Sequence, residues 1–75
     1  MKKRYFKVGL RPVYFEVINN EEFVFVFDWN NGSFKDDFTY YKRLFSGPQM
    51  DDTEEILESE FNAYVEKLRK EGCFN

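Results

Sequence analysis

The sequence predicts an α+β fold in which strands come first along the chain and helices come last. Residues 3–29 contain three runs in which apolar and polar side chains alternate, the period of half-buried strands. Residues 52–71 instead repeat apolar side chains at helical spacing. A chain of 75 residues is expected to form a single domain over 1–75, and its ten Phe, five Tyr and one Trp supply large side chains for a small core.

The first two strands are predicted over residues 3–10 and 13–18. In the first, Phe6, Val8 and Leu10 alternate with residues of the other face. Arg11-Pro12 is expected to separate the two strands, because proline cannot donate a backbone hydrogen bond. In the second strand, Val13 and Phe15 share a face.

A hairpin is predicted to join the second strand to the third, which covers residues 22–29. A three-residue loop, Asn19-Asn20-Glu21, is preferred because a two-residue loop would mix the apolar and polar faces. The expected opposite pairs, all on the core side, are Phe15–Phe25, Val17–Phe23 and Val13–Phe27. This register places Val24 and Val26 on the outward side of the sheet, opposite Glu16 and Tyr14.

Two interpretations of residues 34–46 remain open after the turn signal Asn30-Asn31-Gly32. A type I′ hairpin would pair Trp29 with Phe34 and add a fourth strand. The alternative is a short helix over residues 37–46, capped by Asp36 and ended by Ser46-Gly47-Pro48. The apolar periodicity favours the helix.

A long C-terminal amphipathic helix is predicted over residues 52–71, packed on one face of a three-stranded or four-stranded antiparallel meander. Asp51, Asp52 and Thr53 offer N-caps, and basic residues fall in the last turns, where the helix dipole favours cations. The predicted core consists of Phe6, Val8, Phe15, Val17, Phe23, Phe25, Phe27, Trp29, Phe38, Leu44, Phe45, Leu57, Phe61, Tyr64, Val65 and Leu68.

The residue types argue against catalysis. The chain has no histidine, one cysteine (Cys73) and no glycine-rich phosphate loop, so no catalytic residue, metal site or cofactor is predicted. The paired carboxylates Asp36-Asp37 and Asp51-Asp52 are interpreted as helix caps. We therefore expect a non-enzymatic protein.

The outward side of the sheet is the predicted functional surface. One helical layer covers one side only, so an apolar centre within a charged rim is expected on the other, as in protein interfaces. The protein-binding residues predicted there are Tyr5, Tyr14, Ile18, Val24 and Val26. The expected partner is another protein or a second copy of the chain.

Nucleic-acid binding is the alternative function. Residues 1–11 hold five cations and no acid, and the residues predicted to contact phosphates and bases are Lys3, Tyr5, Lys7 and Arg11. Acids on the same side would repel phosphates, and lysines also protect an edge strand from pairing. With 33% charged residues and no long apolar run, we expect a cytoplasmic protein without a membrane segment.

Overall fold

The computed structural model describes residues 2–45 and 52–72, which form a five-stranded antiparallel open sheet with a short helix and a C-terminal helix. The strands are β1 (Lys2–Val8), β2 (Arg11–Ile18), β3 (Glu21–Phe27), β4 (Phe34–Asp36) and β5 (Thr53–Ile56), in the spatial order β4-β3-β2-β1-β5. The helical segments are a 3₁₀-helix (Phe38–Tyr40), α1 (Tyr41–Phe45) and α2 (Glu58–Lys70). The predicted α+β class is confirmed, with five strands rather than three or four.

The first hairpin turns earlier than predicted. Gly9 adopts a positive φ of 61°, which suits the first central position of a two-residue hairpin loop, and Leu10 completes the turn. Pro12 therefore lies inside β2 instead of separating two strands. The proline is tolerated near the start of this strand, where the ladder with β3 begins only at the pair Val13–Val26.

The second hairpin corrects the predicted register. Asn19 and Asn20 have φ values of 51° and 66°, so both occupy the left-handed region that a two-residue type I′ turn requires. Glu21 is consequently the first residue of β3, and Phe15 pairs with Val24 rather than with Phe25. This one-residue difference moves every side chain of β3 to the other face of the sheet.

The sheet buries side chains on both faces. The valine face carries a buried cluster of Phe6, Val8, Val13, Phe15, Val24 and Val26. The aromatic face carries Tyr5, Tyr14, Phe27 and Phe34, which pack with Phe61, Val65 and Leu68 of α2. The prediction that Val24 and Val26 point outward is wrong, because Tyr40, Tyr41, Leu44 and Phe45 pack against the valine face from the opposite side to α2.

Residues 34–45 combine both predicted conformations. Phe34, Lys35 and Asp36 pair with β3, but Phe34 lies opposite Phe27 rather than Trp29. The chain then leaves the sheet, and the Asp37 carboxylate accepts a hydrogen bond from the Thr39 backbone at 3.1 Å, capping the 3₁₀-helix. The predicted stop signal at residues 46–48 and the cysteine at position 73 lie outside the described residues.

The C-terminal helix is shorter than predicted because its expected first turn forms β5. Thr53–Ile56 pairs with β1, which places Glu54 opposite Lys7. Glu55 forms a bidentate ion pair with Arg4, at 2.7 and 2.9 Å. Both acids suited a helix N-terminus in the sequence, but in the structure they lie in a strand beside the cations of β1. Helix α2 begins after Leu57, whose backbone N–H donates to the Glu60 carboxylate at 3.2 Å.

Two predicted core residues are exposed at segment ends. Leu57, at the N-cap of α2, and Phe38, at the start of the 3₁₀-helix, both lie largely in solvent. The most deeply buried residues on the valine face are Val13, Val24 and Val26. The sheet thus has a helical layer on each face, and any free apolar surface must lie where a helix stops short.

Candidate functional site

Helix α2 covers only part of the aromatic face. It starts beside Tyr5, which lies 4.8 Å from Phe61 between ring centroids. The Tyr64 hydroxyl donates a hydrogen bond to the Leu10 carbonyl at 2.7 Å, and Arg69 donates to the Gly32 carbonyl at 2.8 Å. Leu10 and Gly32 lie at the end of the sheet opposite the Asn19–Asn20 turn. The helix therefore crosses the sheet away from that turn.

The sheet surface beside the Asn19–Asn20 turn forms an apolar area outside the core. We call it the hairpin patch, and its residues are Lys3, Glu16, Ile18, Phe23 and Phe25. Ile18, Phe23 and Phe25 are half-buried and belong to neither buried cluster. A charged rim around partly exposed apolar side chains is the arrangement found at protein interfaces.

The aromatic rings of the patch continue into the core. Phe23 stacks on Phe25 at 6.0 Å, Phe25 stacks on Tyr14 at 4.9 Å, and Tyr14 contacts Phe61 at 5.9 Å. Such aromatic contacts hold the exposed rings in one arrangement at little entropic cost. The hairpin patch is therefore a preformed surface.

A groove runs between the patch and α2. Its volume is about 900 Å³, and its floor is formed by Tyr5, Tyr14, Phe34 and Phe61. Glu58 and Glu66 of α2 lie along its helical wall, and Lys3 lies on the sheet side. The groove is wide enough for side chains of a bound segment, because ligand sites typically measure about 300–1,000 Å³.

Glu16 is a largely buried residue within the hairpin patch, and its carboxylate oxygens reach solvent. It is 9% exposed and lies between Lys3 and Phe23 in the sheet register. Among the residues that the structure describes, none donates a hydrogen bond to this carboxylate or forms an ion pair with it. A carboxylate without a partner at the edge of an apolar surface favours the approach of a cation.

The pKa values of Tyr5 and Tyr14, which lie beneath α2, are both raised. Burial raises the pKa of Tyr5, and the carboxylates of Glu58 and Glu16 raise it further. Burial is also the main cause of the raised pKa of Tyr14, with Glu16 contributing. Both effects disfavour a second negative charge on this face. Glu16 therefore acts on both tyrosines, and Glu58 acts on Tyr5.

The predicted protein-binding residues separate into two groups. Tyr5, Tyr14 and Ile18 lie on the aromatic face, as expected for a shared surface, although α2 covers most of Tyr5. Val24 and Val26 are 0% exposed on the valine face and cannot reach a partner. The residues that the sequence reasoning missed are Glu16, Phe23 and Phe25. The Asn19–Asn20 pair was the signal, since both asparagines tolerate the left-handed conformation of a two-residue turn.

The residues predicted for nucleic-acid binding are dispersed. Lys3 and Lys7 lie in separate grooves on the two sides of α2, and Lys7 sits 4.7 Å above the Tyr64 ring. Arg11 lies at the end of the sheet near Tyr40. Strand β1 is also flanked by β2 and β5, so it is not the edge strand that the sequence suggested. These cations do not form one continuous stripe.

Other signs of function are limited. Within residues 2–45 and 52–72 no group of acids, Cys or His has the spacing of a metal site. No helix in the same part of the chain has the length and apolar character needed to cross a bilayer. Comparisons with protein-family models, with curated proteins and with solved structures found no match.

Proposed function

We propose that this protein is a small, non-enzymatic interaction protein that binds another protein chain through the hairpin patch. The observation that carries the proposal is that Ile18, Phe23 and Phe25 lie on the sheet surface, partly exposed and outside both buried clusters. A partner chain that covers them gains the free energy of burying aromatic surface, which is about 25 cal/mol per Å² of apolar area.

The charge of the surface defines the partner. Glu16, Glu58 and Glu66 line the patch and its groove, and Lys3 is the one cation of the patch itself. Arg69 also lines the groove, but its guanidinium is held at the Gly32 carbonyl, at the end of the sheet opposite the Asn19–Asn20 turn. A segment that combines aromatic or aliphatic side chains with Lys or Arg therefore complements this face. Its cation would pair with the Glu16 carboxylate, which has no partner among the described residues.

The proposed occupant is a segment of a different protein, and the proposed compartment is the cytoplasm. Support for the compartment comes from the composition, since one cysteine in 75 residues leaves no disulfide framework of the kind that small secreted domains use. A second copy of this chain is the competing occupant. It would bring its own acidic patch against Glu16, so charge favours a basic partner.

Selection of a random peptide library displayed on phage tests the proposal. We expect the selected peptides to combine Lys or Arg with aromatic or branched aliphatic residues. Phe23→Ala and Glu16→Gln should each weaken the binding of these peptides by about tenfold or more, as for residues at the centre of an interface. Leu10→Ala is the matched control, because Leu10 is 73% exposed at the opposite end of the sheet and should leave binding unchanged.

The outcomes separate the parts of the proposal. If the selected peptides lack cations but bind Phe23→Ala more weakly than the wild type, the hairpin patch is the binding surface and the partner is not basic. Peptides that bind Phe23→Ala and Glu16→Gln as well as the wild type would contradict the surface itself. A dimer in sedimentation velocity that Phe23→Ala dissociates would make the second copy the occupant.

A further inference from the structure

A second polar site lies at the end of the sheet opposite the hairpin patch. We call it the arginine notch, and it is lined by Val8, Leu10, Arg11, Trp29, Tyr40, Arg43 and Asp52. Its volume is about 420 Å³. Five segments of the chain contribute to it, namely the β1–β2 hairpin, the residues after β3, the 3₁₀-helix, α1 and the residue before β5. The proposed protein-binding function uses none of these side chains.

Arg11 is a half-buried cation, and its counter-ion is not among residues 2–45 and 52–72. Its guanidinium donates to the Tyr40 hydroxyl at 3.0 Å and lies over the rings of Trp29 at 5.7 Å and Tyr40 at 6.0 Å. No carboxylate of the described residues pairs with it. A guanidinium has five N–H donors, so most of its hydrogen-bonding capacity here is available to a ligand.

Arg43 places a second guanidinium on the same aromatic ring. It lies 5.8 Å from the centroid of Tyr40, and it forms an exposed ion pair with Asp52 at 3.4 Å. An ion pair of this length and exposure contributes little, so a stronger anion competes readily with Asp52. Both guanidiniums line the same notch, and arginine binds the oxygens of a phosphate group in a bidentate way.

The backbone around the notch is held in place. The Gly9 backbone N–H donates to the Asp52 carbonyl at 2.6 Å, and the Leu10 carbonyl accepts from the Tyr64 hydroxyl at 2.7 Å. These bonds tie the β1–β2 turn to the strand on one side and to α2 on the other. Leu10 itself is 73% exposed beside the two aromatic rings. The notch therefore offers a fixed apolar surface next to the two cations.

From this geometry we infer that the arginine notch binds a nucleotide. The phosphate lies between Arg11 and Arg43, and the base lies on the apolar surface formed by Leu10, Trp29 and Tyr40. Aromatic side chains interleaved with arginines are the usual means of holding unpaired nucleotides, because every base has a flat face that stacks. A free mononucleotide and the terminal nucleotide of a single strand share this chemistry. The four cations of β1 take no part in this inferred site.

Trp29 is the sole tryptophan of the chain and lies in the notch, so its fluorescence reports occupancy directly. Titration with adenosine monophosphate should change the emission in a saturable way, with a Kd below about 1 mM. Adenosine and inorganic phosphate, each carrying half of the ligand, should bind at least about tenfold more weakly. A 5′-phosphorylated oligothymidine in a parallel titration distinguishes the two sources of the nucleotide.

Arg11→Gln should weaken nucleotide binding by at least about tenfold, the factor expected when one charge-assisted contact is lost. Lys70→Gln is the control, because it removes the same charge from the last turn of α2, outside the notch. Arg43→Gln repeats the test on an exposed residue if Arg11→Gln does not fold, as judged by circular dichroism. Equal binding by Arg11→Gln and Lys70→Gln, or emission that does not saturate with either nucleotide ligand, would overturn the inference.

Discussion

Replacing Val24 with alanine tests which face of β3 is buried. The side chain is 0% exposed within the cluster of the valine face. The substitution removes two carbon atoms, worth about 0.8 kcal/mol each in transfer free energy, and leaves a cavity. We expect the free energy of unfolding to fall by about 2–3 kcal/mol. In a domain of this size that is a decrease in Tm of roughly 8–20 °C.

Phe23→Ala, next to it on the same strand, is the comparison. This change removes a much larger side chain, but Phe23 is half-buried and belongs to neither cluster. We expect it to cost less, about 1–2 kcal/mol, because the partly exposed ring lies outside both clusters and its removal leaves no enclosed cavity. Urea unfolding followed by Trp29 fluorescence and by circular dichroism measures both variants. A larger loss for Phe23→Ala than for Val24→Ala would refute the register and restore the one that the sequence suggested.

Three further predictions concern the turn and the ionisable groups. Asn20→Gly should raise the free energy of unfolding by a few tenths of a kcal/mol and Asn20→Ala should lower it by about 1 kcal/mol, since φ is 66° at this position; urea unfolding measures both, and equal stabilities would contradict the turn. The ion pair with Arg4 lowers the pKa of Glu55, so its stabilisation is present above the unfolded pKa of about 4.3 and is lost as pH falls through the lower folded value. Because the pair is exposed, Glu55→Gln should cost roughly 0.2–1 kcal/mol at pH 7 and almost nothing at pH 2; a constant difference would show that the charge is not responsible. The raised pKa values of Tyr5 and Tyr14 mean that unfolded chains lose phenolic protons first, so stability should decrease as pH rises above about 10; an absorbance titration at alkaline pH in which all five tyrosines ionise together would contradict this.

The elements themselves were largely predictable from the sequence. Alternation identified β1, β2 and β3, and the apolar spacing of Phe61, Val65 and Leu68 identified the buried face of α2. These signals are local, because each depends on side chains within a few residues of one another. The α+β class followed from their order along the chain.

Which side chains of β3 face which side of the sheet was not predictable in the same way. Apolar residues occupy consecutive positions of β3, so both of its faces are apolar. Phe23 and Phe25 alternate with Val24 and Val26, so either set can face a core. Which set faces which cluster depends on whether the turn before β3 has two or three residues. The positive φ values of Asn19 and Asn20 give the two-residue turn. The preference for keeping six apolar side chains on one core side assumed a single core, whereas the sheet has two.

Strand β5 was missed because its acids have two physical interpretations. Glu54 and Glu55 suit the N-terminus of a helix, and they equally suit a position beside Lys7 and Arg4. Only the tertiary structure shows that β1 has an open edge at this point. The same limits apply to the candidate site. The sequence identified Tyr14 and Ile18 as surface residues, but it did not identify Glu16 as part of the site.

Amide chemical-shift mapping tests the central claim most directly. A ¹⁵N-labelled sample would be titrated with a peptide selected against the wild-type protein. If the hairpin patch is the binding surface, the shift changes should concentrate at Lys3, Glu16, Ile18 and Phe23. The same peptide concentration, chosen near the Kd of the wild type, should give much smaller changes in the Glu16→Gln variant. Changes centred on α1 or on the exposed side of α2, with the residues around the Asn19–Asn20 turn unaffected, would contradict it.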